Sequence, residues 1–181
     1  MVLQTLKRFN SMKTLIAYFS HVGETLVDNE VVVIEKGNTE KVAEKIHSLI
    51  ESDLYKIVEA EPYPFAYRDC NNRARREDEN NEHPAMLDTI GLDMTQYDVI
   101  YLGFPIWYRS YPRIIASFLD KYDFSNKIII PFCTNDEEYF GISLLELQSI
   151  CKNSTIKEGL VIRGVNVDSS DKIIEDFVSK Q

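Results

Sequence analysis

The sequence is short of glycine, cysteine, histidine and positive charge, and each shortage removes a class of function. Its 181 residues hold seven glycines, with no G-x-G-x-x-G, no G-K-[ST] and no G-x-S-x-G among them. A dinucleotide held in the Rossmann manner, a Walker phosphate loop and a nucleophile elbow are therefore excluded. The three cysteines, Cys70, Cys133 and Cys151, are widely spaced and form no C-x-x-C pair. Neither a zinc site nor a redox dithiol is expected, and the thiols read as reduced, in a cytoplasmic chain. His21, His47 and His83 share no H-x-x-x-H or mixed Cys/His spacing, so no metal centre is expected. Lys and Arg total 20 against 29 Asp and Glu, a net charge of −9. That field repels phosphate backbones and anionic lipid, which argues against nucleic acid as the main partner. Apolar runs such as Val31 to Ile34 and Ile128 to Ile130 fall far short of the ~20 residues of a membrane span. Residues 1–11 carry Lys7 and Arg8 without the apolar segment of a signal peptide, so they read as a loose extension, with Met12 as a natural start and 12–181 as one domain.

What is present is a regular alternation of buried strands and amphipathic helices. Lys13 to Ser20 has a buried-strand pattern, and Asn38 to Glu51 places Val42, Ala43, Ile46, Leu49 and Ile50 at helical spacing. Strands follow at Leu54 to Val58, Asp98 to Gly103, Lys127 to Cys133 and Thr155 to Ile162. Helices follow at Pro112 to Tyr122, Ile142 to Ile150 and Ser169 to Lys180. Ile128, Ile129 and Ile130 show no polar alternation, as suits a central parallel strand covered on both faces. Five such strands with right-handed crossovers define a three-layer α/β/α sandwich.

Two segments interrupt the rhythm. In residues 21–36, Asp28 and Asn29 separate two short runs, Glu24 to Val27 and Val31 to Ile34, as in a hairpin insert. In Ala66 to Pro84, Arg73 with Glu77 and Arg75 with Glu79 are helical i,i+4 pairs, which read as a solvated helical face.

Open α/β sheets bind ligands in the loops at the carboxyl ends of their strands. The first such loop brings Ser20 to a helix that opens with Gly37, Asn38 and Thr39. Hydroxyls beside free helix amides suit a phosphate group; an ordinary cap by Asn38 or Thr39 accounts for the same residues without any ligand. The second loop, Phe104 to Pro112, holds the sole tryptophan, Trp107, next to Tyr108. An aromatic loop here serves either as a platform for a flat ring or as a packing surface against the insert or a second copy of the chain. The third is Cys133 to Gly141, which lies beside the second if the strand order is 2-1-3-4-5.

Taken together, AYFS, the GNT that opens the first helix, Pro-Tyr-Pro, ARRE, YDVIYLGFPIWY and KIIIPFCT resemble the flavodoxin family from about Lys13 to the C-terminus. The resemblance implies a flavodoxin-like five-stranded parallel sheet of order 2-1-3-4-5 holding FMN noncovalently. Its phosphate would lie on the loop of Ser20, His21, Gly37, Asn38 and Thr39. The isoalloxazine would lie against Pro105, Ile106, Trp107 and Tyr108, with its far edge near Thr134 and Asn135. It further implies either electron transfer to a redox partner protein, or NAD(P)H-dependent reduction of a quinone-like small molecule. A flavodoxin-like interaction module that has lost its flavin is the alternative. Three features depart from the family pattern. Sixteen residues, His21 to Lys36, intervene before Gly37; Glu137, Glu138 and Tyr139 occupy a usually glycine-rich loop; and Arg109 stands where a small residue is expected.

Overall fold

A computed structural model describes residues 12–181, and the extension expected over residues 1–11 lies outside the described residues. In chain order, β1 (Thr14–Tyr18) is followed by β2 (Gly23–Val27), β3 (Glu30–Ile34), α1 (Asn38–Leu49), β4 (Asp53–Lys56) and β5 (Val58–Glu59). Then come α2 (Tyr67–Glu79), β6 (Met86–Leu87), β7 (Val99–Pro105), α3 (Arg113–Lys121), β8 (Ile128–Asn135), α4 (Ser143–Ile150), β9 (Thr155–Ile156), β10 (Leu160–Arg163) and α5 (Asp171–Val178).

The main sheet runs β4-β1-β7-β8-β10 with every neighbouring pair parallel. Numbered by its five principal strands, that is the expected order 2-1-3-4-5. Strand periodicity sends alternate side chains to opposite faces. Leu15 and Ala17 therefore join one buried cluster with Leu102, Phe104 and the α3 residues Ile114, Ile115 and Phe118. Ile16 and Tyr18 join the other, with Val42 and Ile46 of α1 and Ile174 and Phe177 of α5. Both faces of β1 are thus dry, the physical meaning of a sandwich with helices on each side. Among the described residues no helix is long and apolar enough to cross a membrane.

Two strands differ from their sequence pattern. The second principal strand ends at Lys56, and Val58 and Glu59 turn away to pair antiparallel with Leu87 and Met86. The fifth is broken into β9 and β10. The break falls opposite Pro131, whose carbonyl faces Gly159 and whose nitrogen, on the same side of the strand, has no hydrogen to give to the ladder.

A larger difference concerns α2. The Arg73 to Glu77 pair does not lie on a solvated face: Glu77 is only 1 % exposed. Its carboxylate accepts from Arg73 Nε at 2.7 Å and from the Tyr63 hydroxyl at 2.6 Å. The guanidinium also caps the carbonyls of Glu61 and Pro62, both at 3.0 Å. The pair is buried because α2 folds back on the loop before it, which spacing alone does not reveal. Arg75 and Glu79 remain exposed, 4.0 Å apart.

Candidate functional site

The carboxyl ends of β1, β7 and β8 open onto one cleft of about 240 Å³. Its phosphate-sized end is built around the start of α1. Gly37 is the N-cap and supplies no side chain; Asn38 is already the first helical residue. The cap expected from Asn38 or Thr39 instead comes from outside the helix, because Ser20 Oγ accepts the Glu40 amide at 3.1 Å. This is why position 37 is glycine: a Cβ there would overlap Ser20 Oγ and the His21 carbonyl. Among the described residues the Asn38 and Thr39 amides have no protein acceptor. They point, with the helix dipole, into the cleft.

Thr39 is 1 % exposed and its hydroxyl meets that of Thr134 at 2.8 Å, so α1 and the end of β8 share one hydrogen bond at the cleft floor. Half-buried His21 is held in the cleft by its edge against Trp107, ring centroids 5.7 Å apart. Its Nε2 is buried without a hydrogen-bond partner among the described residues. Burial lowers its pKa, against a smaller opposing pull from Glu59, so the imidazole is neutral near neutral pH. Among the described residues no lysine or arginine lines the cleft. Any anion bound here is held by amides and hydroxyls rather than by counter-charge.

The other end is formed by Pro105, Ile106, Trp107 and Tyr108. Trp107 is wedged edge-on between Phe19, at 5.6 Å, and Tyr63, at 4.9 Å, so its plane is set by aromatic packing. The Trp107 and Ser110 backbones bond to each other, which closes a tight turn and places Tyr108 at φ 59°. The Tyr108 hydroxyl donates to the Asn71 carbonyl of α2 at 2.9 Å, folding the side chain across the mouth of the cleft. Arg109 does not intrude. It is turned outward toward Asp78, at 3.5 Å, while its carbonyl accepts the Ile142 amide at 2.7 Å.

Of the residues predicted from sequence, Ser20, His21, Asn38, Thr39, Pro105 to Tyr108, Thr134 and Asn135 all line this one cleft. Gly37 sits behind its wall, pressed on Ser20. Asn135 also shapes its own loop: its Nδ2 donates to the Tyr139 carbonyl at 2.6 Å and its Oδ1 accepts the Glu137 amide at 2.9 Å. Two further walls escaped the sequence reading. One is the α2 stripe of Tyr67, Cys70, Asn71 and Ala74, and the other is the inner face of the β2–β3 hairpin, with Thr25 and Ile34. The α2 stripe carried a signal, the i, i+3, i+4, i+7 spacing, which the surrounding arginines and glutamates masked.

An open parallel sheet wound in both directions from β1, with its cleft at the point between β1 and β7 where the winding reverses, defines a flavodoxin-like α/β protein. The flavodoxin family profile matches residues 13–180, and the chain belongs to that family. Among solved structures it is similar to a candidate flavoprotein from Bacteroides uniformis ATCC 8492, 27% identical over 93% of this chain and 99% of that one, with a TM-score of 0.75. A candidate flavoprotein from Bacteroides eggerthii DSM 20697 is also 27% identical, over 94% of this chain and 98% of that one, with a TM-score of 0.74. A flavoprotein from Lactobacillus acidophilus NCFM, solved in complex with FMN, shares the fold at 23% identity over 88% of this chain and 98% of that one, with a TM-score of 0.66. No curated protein gives a significant match to the chain.

Proposed function

We propose that the chain binds FMN noncovalently and works as a redox protein. The observation that carries this reading is the pairing of two ends of one cleft: unclaimed α1 amides over the Thr39 and Thr134 hydroxyls at one end, and the Trp107 turn at the other. His21 lines the cleft as well, its ring set against Trp107. Family membership and the FMN-bound Lactobacillus acidophilus flavoprotein of the same fold point the same way.

On this reading the Asn38 and Thr39 amides hold the phosphate. Charge-assisted hydrogen bonds of this kind are worth about 1.5 to 3 kcal/mol each. Trp107, fixed by Phe19 and Tyr63, provides a rigid surface for the ring, and Tyr108 and the hairpin restrict water. FMN supplies one- and two-electron chemistry when bound, and the protein binds, orients and shields it. Electrons pass either to a redox partner protein or, from NAD(P)H, to a quinone-like small molecule.

Titration of the flavin-free protein with FMN and with riboflavin tests the binding step. FMN is expected to bind at least about tenfold more tightly, since riboflavin lacks the group the helix amides would hold, and Trp107 emission is expected to fall as the ring arrives. Equal affinity for the two would reduce Asn38 and Thr39 to an ordinary helix start. Binding of neither would leave a flavodoxin-like interaction module. Oxidation of NADH or NADPH with a quinone present, by the FMN-loaded protein, separates a reductase from a carrier.

A further inference from the structure

The β2–β3 hairpin is fastened at its root and at its tip. At the root, the Glu24 amide donates to the Phe65 carbonyl at 2.9 Å, and the Glu24 carboxylate accepts the Tyr67 amide at 2.9 Å. At the tip, Asp28 and Asn29 both lie at positive φ, 52° and 64°, as a tight two-residue hairpin turn requires. Their two amides converge on a single carboxylate, that of Asp136, at 2.6 and 3.0 Å. Arg163 completes the fastening: its Nε donates to the Asp136 carbonyl at 3.0 Å, and its Nη2 lies 3.4 Å from the Asp28 carboxylate.

Between these points the hairpin crosses the phosphate-sized end of the cleft. It leaves at Ser20 and returns at Gly37, the two residues that bracket the start of α1, and Val27 approaches Gly164 beside Asn38. Thr25 and Ile34 lie on the face toward the cleft, while Val31 and Val33 lie on the other and face solvent, 52 % and 60 % exposed. A two-stranded ribbon with one face on water is only marginally stable by itself. Its closed position therefore depends on the root and on the Asp136 grip.

We propose that Asp136 is the positioning residue of a clasped wall over the cofactor: while its carboxylate holds the Asp28 and Asn29 amides the hairpin is closed, and FMN enters and leaves when that grip opens. The inference rests on the FMN reading above. Any phosphate on the Asn38 and Thr39 amides lies beneath the hairpin, so one local opening controls traffic in both directions.

The test has two readouts. In the flavin-free protein, hydrogen exchange of the Asp28 and Asn29 amides is expected to be slow in the wild type, faster in Asp136→Asn, which keeps one acceptor oxygen, and fastest in Asp136→Ala. Stopped-flow measurement with FMN is then expected to show both association and dissociation at least about tenfold faster in Asp136→Ala, from the loss of the charge-assisted grip, with affinity changed by less than about threefold. Faster dissociation at an unchanged association rate would make Asp136 part of a fixed wall and overturn the clasp. Unchanged amide exchange in a folded Asp136→Ala, checked by circular dichroism, would overturn it without touching the FMN reading. A wild type that binds no FMN would remove both.

Discussion

The hydroxyls of Thr39 and Thr134 meet at 2.8 Å although 95 residues separate them in the chain. This contact joins the first turn of α1 to the carboxyl end of the sheet's fourth principal strand, at the floor of the cleft. Because both groups are buried, removing one strands the other. Thr39→Val is expected to destabilise the flavin-free protein by about 1 to 3 kcal/mol. Thr39→Val with Thr134→Val should cost less than the sum of the two single changes. Urea denaturation of the four proteins gives the coupling.

Gly37→Ala should be more damaging than a one-carbon change ordinarily is. The added Cβ meets both the Ser20 hydroxyl and the His21 carbonyl, and the second is backbone, which cannot rotate aside. An overpacking cost of about 1 to 3 kcal/mol is expected, against about 1 kcal/mol for Ser20→Ala, which removes the acceptor of the Glu40 amide. Thermal melts of the two variants check the ranking.

His21 gives a pH dependence of definite sign. Burial holds its pKa below the ordinary 6.5, so across the interval beneath that value the unfolded chain binds more protons than the folded one. The stability due to neutral His21 is fully present above pH 6.5 and falls as the pH drops through the unfolded value toward the lowered one. His21→Gln should therefore flatten the wild-type stability curve between about pH 5 and 7. Denaturant titrations at several pH values compare the two slopes; parallel slopes would show that the imidazole is hydrated.

The two i,i+4 pairs of α2 should respond very unequally. Glu77→Gln leaves Arg73, whose side chain is 11% exposed, with an uncompensated charge, and about 3 kcal/mol or more of stability should be lost. Glu79→Gln, in a pair more than half exposed at 4.0 Å, should change stability by less than about 1 kcal/mol. Chemical denaturation at moderate salt distinguishes them.

These contrasts show what the sequence exposes and what it hides. The alternation of strands and helices and the three cleft loops were legible from local patterning: buried strands, helical spacing, and Trp107 in a loop where polar residues are the rule; the sheet order came only with the family resemblance. The burial of Glu77 was not, because its partner Tyr63 lies on a loop outside the helix and charge composition points to solvent. Asp136 was equally opaque. It stands among Glu137 and Glu138 as one of three acids in a row, and its contacts with Asp28 and Asn29 span 108 and 107 residues. The split in the fifth strand comes from Pro131 on a neighbouring strand, so a reading confined to Thr155 to Ile162 has no means of finding it.

That split also matters away from the cleft. A sheet invites unwanted partners at its rims, where a long straight strand offers unpaired amides and carbonyls to any extended chain. Here one rim is interrupted, two residues of β9 and four of β10 with a gap between. The opposite rim, β4, is four residues long before the chain veers off to pair with β6. Neither rim offers the length of template that edge-to-edge growth requires, and a single imino acid on the strand next to one rim is one reason.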